Sequence, residues 1–337
     1  MKAFLAAIRT ALPRATLAND QLASEYPGWS AEKIHAKTGV ATRHIAAAGE
    51  CASDLAVTAA RRLMEQESVA PSSVDFILYC TQTPDYILPS TACTLQHRLG
   101  LPMACGALDY NLGCSGYIYG LGLAKALIET DQARTILLLT ADTYSKLINP
   151  ADKSVRTLFG DGAAATLISL GSEECSIGPF VYGTDGGGAA NLIVPTGGMR
   201  RPVVFQAELV PDDSGNSRTV NDLYMNGAEV FNFTLRAVPQ AIQQLLAKAG
   251  IAQDDVDLYV FHQANRFMLD HLRRKLQIPL EKFVIAMEEV GNTVSSSIPM
   301  ALERAQETGQ LKRGARVMLV GFGVGYSWGA TLVRWRA

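Results

Sequence analysis

An α/β fold assembled from two similar halves is predicted by three observations on this 337-residue chain. Short apolar runs of strand length alternate with longer segments patterned as helices, the signature of sheets covered by helices. Two kinds of string recur in the same order along the chain. Between them, from Thr184 to Asp222, the patterning fails in Gly186-Gly187-Gly188, Gly197-Gly198 and Pro211-Asp212-Asp213, which marks a long irregular connection.

The elements follow in order. Met1 to Arg9 reads as a first strand, too short and too soon charged for a signal peptide. Asp54 to Glu67 is an amphipathic helix with Leu55, Thr58, Ala59 and Leu63 on one side. Asp75 to Cys80 is a short apolar run of the kind that forms a buried strand. A helix over Thr91 to Leu99 comes next, then an apolar segment from Gly106 to Leu112 and a small-residue helix from Ser115 to about Glu129. Thr135 to Thr140 is a further buried strand. Helical patterning resumes at Asn226 and runs to Gly250, with an interruption expected near Pro239. A strand ending at His262, a helix from Arg266 to Leu276 and a helix from about Ile298 complete the series. The recurring strings are Ser73 to Cys80 with Asp255 to His262, and Leu158 to Leu167 with Gly321 to Leu332.

Composition excludes several functions. Apolar residues make up 48% of the chain and charged ones 18%, enough to bury a large interior. The net charge of −2 gives no general attraction to nucleic acid or to a membrane surface. No stretch approaches the roughly 20 apolar residues that a membrane helix needs. Six irregularly spaced cysteines form no CxxC pair and no zinc-ligand pattern, which points to a reducing cytoplasm.

Three residues stand out chemically. Cys114 lies where the Gly106 to Leu112 segment gives way to a helix, so a helix N-terminus and its free N–H groups favour thiolate, the nucleophilic form. Gly113 and Gly116 on either side are expected to let a substrate carbonyl approach. Alone, the same cysteine reads rather as a small core residue. His262 stands at the C-terminal edge of a buried strand, where ligands of α/β sheets bind, and alone reads as a structural histidine. Asn292, in Gly291-Asn292-Thr293, reads alone as a turn or helix-cap residue.

Taken together, six segments resemble the β-ketoacyl-acyl carrier protein synthase III family of the thiolase superfamily. They are Gly113-Cys114-Ser115-Gly116, Leu158 to Gly162, Met225 to Phe231, His262-Gln263-Ala264-Asn265, Gly291-Asn292-Thr293 and Gly321 to Gly325. The resemblance spans nearly the whole chain. It implies a five-layered αβαβα fold of two duplicated halves, residues 1–175 carrying the nucleophile and residues 176–337 carrying His and Asn. It also implies a homodimer, acyl thioester substrates, acyl carrier protein as partner, and no metal or nicotinamide cofactor. The implied catalytic residues are Cys114, His262 and Asn292, with the backbone N–H groups of Cys114 and Val324 as the oxyanion hole.

Departures from the family pattern concern the carrier. Lys33 and Lys37 stand where many members have Trp and Arg against the coenzyme A nucleotide, and Lys153 replaces a phosphate-contacting Arg. Arg266-Phe267 reverses the usual apolar-Arg order. These changes leave open whether the primer arrives on coenzyme A or on a protein. A basic side formed by Arg266, Arg273 and Arg274, with Lys275 adjacent, reads as a docking face for an acidic carrier protein or as an ordinary solvated helix side. Leu88, before Pro89, matches the loop that in the family reaches the partner's acyl pocket. Two other functions stay open: acyl transfer to an alcohol or amine, and a non-catalytic partner subunit.

Overall fold

A computed structural model describes residues 2–171 and 176–336. The boundary expected after residue 175 adjoins residues 172–175, which lie outside the described residues.

The first sheet contains β1 (Lys2–Ala11), β2 (Phe76–Cys80), β3 (Gly106–Tyr110), β4 (Thr135–Asp142) and β5 (Gly162–Gly171), in the order β1-β5-β4-β2-β3. The second contains β6 (Ile177–Thr184), β7 (Leu258–Phe261), β8 (Arg316–Gly323) and β9 (Ser327–Arg334), in the order β6-β9-β8-β7. The two orders match strand for strand, and so do the directions. β1/β5 and β5/β4 are antiparallel, as are β6/β9 and β9/β8, whereas β4/β2 and β8/β7 are parallel. The position of β3 is reduced in the second sheet to a single parallel bridge between Tyr259 and Phe283. Gly321 to Gly323 belongs to β8, and the hairpin into β9 is made by residues 324–326.

Helices complete five layers. α1 (Ala31–Thr38) lies outside the layers, against the start of α6 (Arg266–Lys275). α2 (Ala52–Gln66) and α3 (Thr91–Arg98) cover the outer face of the first sheet, α4 (Gly116–Glu129) and α7 (Ser297–Glu307) touch both sheets, and α5 (Gly227–Ala249) covers the second, with α6 packed on it. Three apolar clusters fill the gaps between layers. Because both sheets are buried on both faces, strands such as β4 read as continuous apolar runs without alternation.

Two helices differ from expectation. Leu55, Ala59 and Leu63 of α2 are buried, but Thr58 faces solvent and returns its hydroxyl to the Asp54 carbonyl at 2.9 Å. α5 runs unbroken through Pro239. Proline lacks the N–H that would bond the Leu235 carbonyl, and Lys275 Nζ donates to that carbonyl instead, at 2.8 Å. A side chain from the neighbouring helix thus replaces the missing backbone bond.

Candidate active site

Cys114 follows β3 and precedes α4, so it sits where the central helix layer begins. β8 of the other sheet ends against it. A Cβ on Gly323 would lie 2.8 Å from Cys114 Sγ, so only glycine permits that approach. The glycines beside the cysteine serve packing rather than substrate access. A Cβ on Gly116 would meet Cys80 Sγ at 2.2 Å, and one on Gly113 would meet Gln82 Oε1 at 2.4 Å.

His262 follows the last residue of β7, its N–H bonded to the Val320 carbonyl at 2.8 Å. Its Nδ1 lies 2.7 Å from Ser297 Oγ at the start of α7. Asn292 is held by backbone: its N–H donates to the Leu158 carbonyl (2.9 Å), and its carbonyl accepts from Gly160 (3.0 Å). Arg43, fully buried, bonds the Thr157 carbonyl at 3.1 Å and so braces that segment. The Asn292 side chain is oriented by Val294, whose N–H donates to Oδ1 at 2.9 Å. Val294 has φ +53, a left-handed conformation costly for a β-branched residue and typical of strain kept at functional sites. With Oδ1 engaged, the Asn292 Nδ2 group donates to the Ala264 carbonyl at 3.4 Å and lies 3.5 Å from His262 Nε2.

These three side chains line one cavity with Phe159, Leu192, Met225, Met268, Phe322 and Gly323. Among the described residues, Cys114 and His262 are its only titratable lining residues. Burial pushes the Cys114 thiol up to about 12, and the Asp142 charge adds to this, while the N–H groups of Val324 and Cys114 pull it down. The resting residue is therefore a thiol. The expected thiolate is not its resting state, because desolvation outweighs those N–H groups. Burial also lowers His262 to about 3, so its imidazole is neutral at physiological pH. A depressed histidine contributes stability that is complete above its ordinary value near 6.5 and erodes as pH falls toward 3. We expect NMR to show no His262 titration between about pH 8 and 5, and a midpoint near 6.5 would contradict the neutral role.

Sequence reasoning overlooked Asp142, the buried acid that ends β4. It accepts from Gln82 N–H (2.8 Å) and from the Ser295 hydroxyl, tying the first sheet to the turn after Asn292. Burial raises it to about 7. A single acid closing the apolar run of β4 was the available signal. Beyond Val324 and Leu192 lies a second cavity of about 350 Å³, lined by Gln82, Asn111, Tyr144, Leu147, Ile193 and Leu223 among others.

The carrier-contact residues are scattered. Lys33 and Lys37 flank Trp29, their amines 5.2 and 5.5 Å from its ring centre, an aromatic plate that sequence reasoning had missed. Arg266 abuts Gly39 just beyond α1 and pairs with Asp270 at 2.9 Å. Phe267 is half exposed and packs on His271 and Phe231. Lys153 is not a free charge, because its amine bonds the Ser214 and Gly215 carbonyls at 2.8 and 2.7 Å. Nor do the basic residues of α6 form one solvent face. Arg273 turns inward to the Ile278 carbonyl (3.0 Å), and Lys275, though exposed, is bonded to the Leu235 carbonyl, while Arg266 and Arg274 are exposed. Leu88 is 80% exposed in an apolar loop with Tyr86 and Ile87.

Family models for 3-oxoacyl-[acyl-carrier-protein] synthase III match residues 108–186, and for its C-terminal part residues 246–335. The chain is 34% identical to a β-ketoacyl-[acyl-carrier-protein] synthase III of Caldanaerobacter subterraneus, over 96% of this chain and 95% of that one. This chain belongs to the 3-oxoacyl-[acyl-carrier-protein] synthase III family. Among solved structures, a 3-oxoacyl-(acyl-carrier-protein) synthase III matches with TM-score 0.98 and 57% identity, covering 99% of this chain and 100% of that one. A 3-oxoacyl-(acyl-carrier protein) synthase from Burkholderia xenovorans matches with TM-score 0.91 and 36% identity, covering 100% and 95%. Members of the synthase III family therefore share the five-layered architecture of this chain.

Proposed function

We propose that this chain is a decarboxylating condensing enzyme that joins an acyl primer to malonyl-acyl carrier protein. The observation that carries this reading is the meeting of the Cys114 thiol, the neutral His262 imidazole and the Asn292 side-chain amide in one cavity. Cys114 Sγ attacks the primer thioester, the carbon–sulfur bond to the carrier breaks, and the proton of the thiol passes to the departing sulfur. His262 is the group positioned to relay it. The Ser297 hydroxyl can donate to or accept from Nδ1, so either imidazole tautomer is supported. The N–H groups of Cys114 and Val324 would hold the oxyanion.

In the second half-reaction the malonyl carbon–carbon bond breaks and carbon dioxide leaves. The electron pair rests as an enolate on the thioester oxygen, held by Nε2–H of His262 and Nδ2–H of Asn292. Its carbon attacks the acyl group, and Cys114 departs as thiolate, to be reprotonated. Decarboxylation supplies the driving force, so the reaction calls for no metal or nicotinamide cofactor. The primer chain would occupy the second cavity, and the pantetheine arm would enter past Asn265 and Met268.

We also infer a homodimer. Exposed Tyr86, Ile87 and Leu88, together with the open edge strand β3 and its exposed Leu108, form a surface that a second copy would cover. Arg274 and Arg266 offer charge to an acidic carrier protein, while Trp29 with Lys33 and Lys37 suits a nucleotide. We place the protein in the cytoplasm and the two halves at 1–175 and 176–337. The five described cysteines are free thiols, as a reducing compartment requires. Carbon dioxide release from malonyl-acyl carrier protein, coupled one-to-one to 3-oxoacyl product, tests the main reading. Acyl transfer to an alcohol or amine without that release would replace it, and absence of any acyl adduct would indicate a non-catalytic partner subunit.

A further inference from the structure

The second cavity is not a plain hydrocarbon slot. Along one wall the Tyr144 hydroxyl donates to Gln82 Oε1, and Gln82 Nε2 donates to Asn111 Oδ1 at 3.0 Å. The Gln82 backbone is fixed by Asp142, and its side-chain amide lies against Gly113, next to the nucleophile. Tyr144 is 3% exposed and packs on Phe159 of the catalytic cavity, so the chain of bonds is anchored at that end. At the other end Asn111 Nδ2 donates to no group among the described residues, and Gln82 Nε2 has a second hydrogen to give. Leu147, Ile193 and Leu223 also line this cavity.

An unsubstituted alkyl chain laid against the wall would strip water from these amide groups and return no hydrogen bond. An oxygen substituent near the thioester end would meet them. We propose that the Gln82–Asn111 wall selects primers bearing a hydroxyl or oxo group close to the thioester over simple alkyl primers of the same length. The selection follows from the asymmetry between a site built to hydrogen-bond an oxygen and the analogue that lacks it. The remaining chain length is limited by a cavity of about 350 Å³, which suits a short acyl group. This inference rests on the reading of Cys114 as the acyl-accepting nucleophile.

The test is the rate of Cys114 acylation, followed by intact mass, with butyryl and 3-hydroxybutyryl thioesters. Both hydroxy enantiomers are used, each on coenzyme A and on acyl carrier protein. We expect one hydroxy enantiomer to acylate at least about tenfold faster than butyryl on the same carrier. Asn111→Leu, at an exposed position, is expected to bring the ratio close to one, and Gln82→Leu to do so more completely. Should Gln82→Leu fail to fold, Asn111→Leu decides alone. A wild-type ratio at or below one, or a ratio that neither variant moves, overturns the inference while the Cys114 adduct keeps the main reading standing. Absence of an adduct from every thioester overturns both.

Discussion

Cys114→Ala abolishes the acyl adduct and lowers condensation by about 10⁴-fold or more, the scale on which removal of a nucleophile acts. The argument is one of placement. Cys80 is also buried beside α4, but its Sγ donates to the Leu112 carbonyl at 3.0 Å and burial holds it protonated, so it is spoken for structurally. Cys93 is exposed and is not among the residues that line the cavity, so it is the residue to watch for adventitious labelling. The variant keeps His262 and Asn292, so slow carbon dioxide release from malonyl-acyl carrier protein without product should persist. Intact mass, peptide mapping and carbon dioxide capture on the same preparation separate these outcomes. A wild-type-sized adduct in Cys114→Ala would remove the residue from the nucleophile's role.

The candidate site was legible through the six segments that resemble the synthase III family. Cys114, His262 and Asn292 each read alone as a core, structural or turn residue, and the fold brings the three to one cavity. His262 closes an apolar four-residue strand, and Asn292 follows a glycine with positive φ. The electrostatic state of Cys114 was not legible. A helix start raises thiolate character, but the depth of burial that reverses it depends on β8 arriving from the other sheet. The same holds for α5, where Pro239 predicts a break that Lys275 of α6 repairs. Charge runs misled for a related reason. Lys153 and Arg273 look like freely solvated cations in one dimension, and exposed Lys275 does too, yet each is bonded to carbonyls in a fold that the run itself does not encode. Asp142 and Arg43 show the converse, since both read as ordinary polar residues but are buried and brace segments around the site. Trp29 lay just outside the segment compared with the family, and became visible only when α1 placed both lysines over it.

Asn292→Ala should reduce condensation by about a hundred- to a thousand-fold while acylation of Cys114 stays within about tenfold of wild type. The separation is expected because Asn292 Nδ2 and His262 Nε2 stand 3.5 Å apart, close enough to serve one acceptor, the thioester oxygen on which the proposed enolate charge would develop. The acyl oxyanion would instead fall, on the proposed mechanism, to the N–H groups of Val324 and Cys114, which Asn292 does not supply. Alanine also removes Oδ1, the acceptor for the strained Val294 N–H, so a shifted turn would confuse the result. Asn292→Asp resolves this. It keeps an oxygen for Val294 but replaces the donor with a carboxylate that repels the enolate, so its condensation should fall at least as far as in the alanine variant. If the aspartate variant condensed faster than the alanine one, or if acylation collapsed in step with condensation in both, Asn292 would be a scaffold for the turn and the enolate would need another donor beside His262.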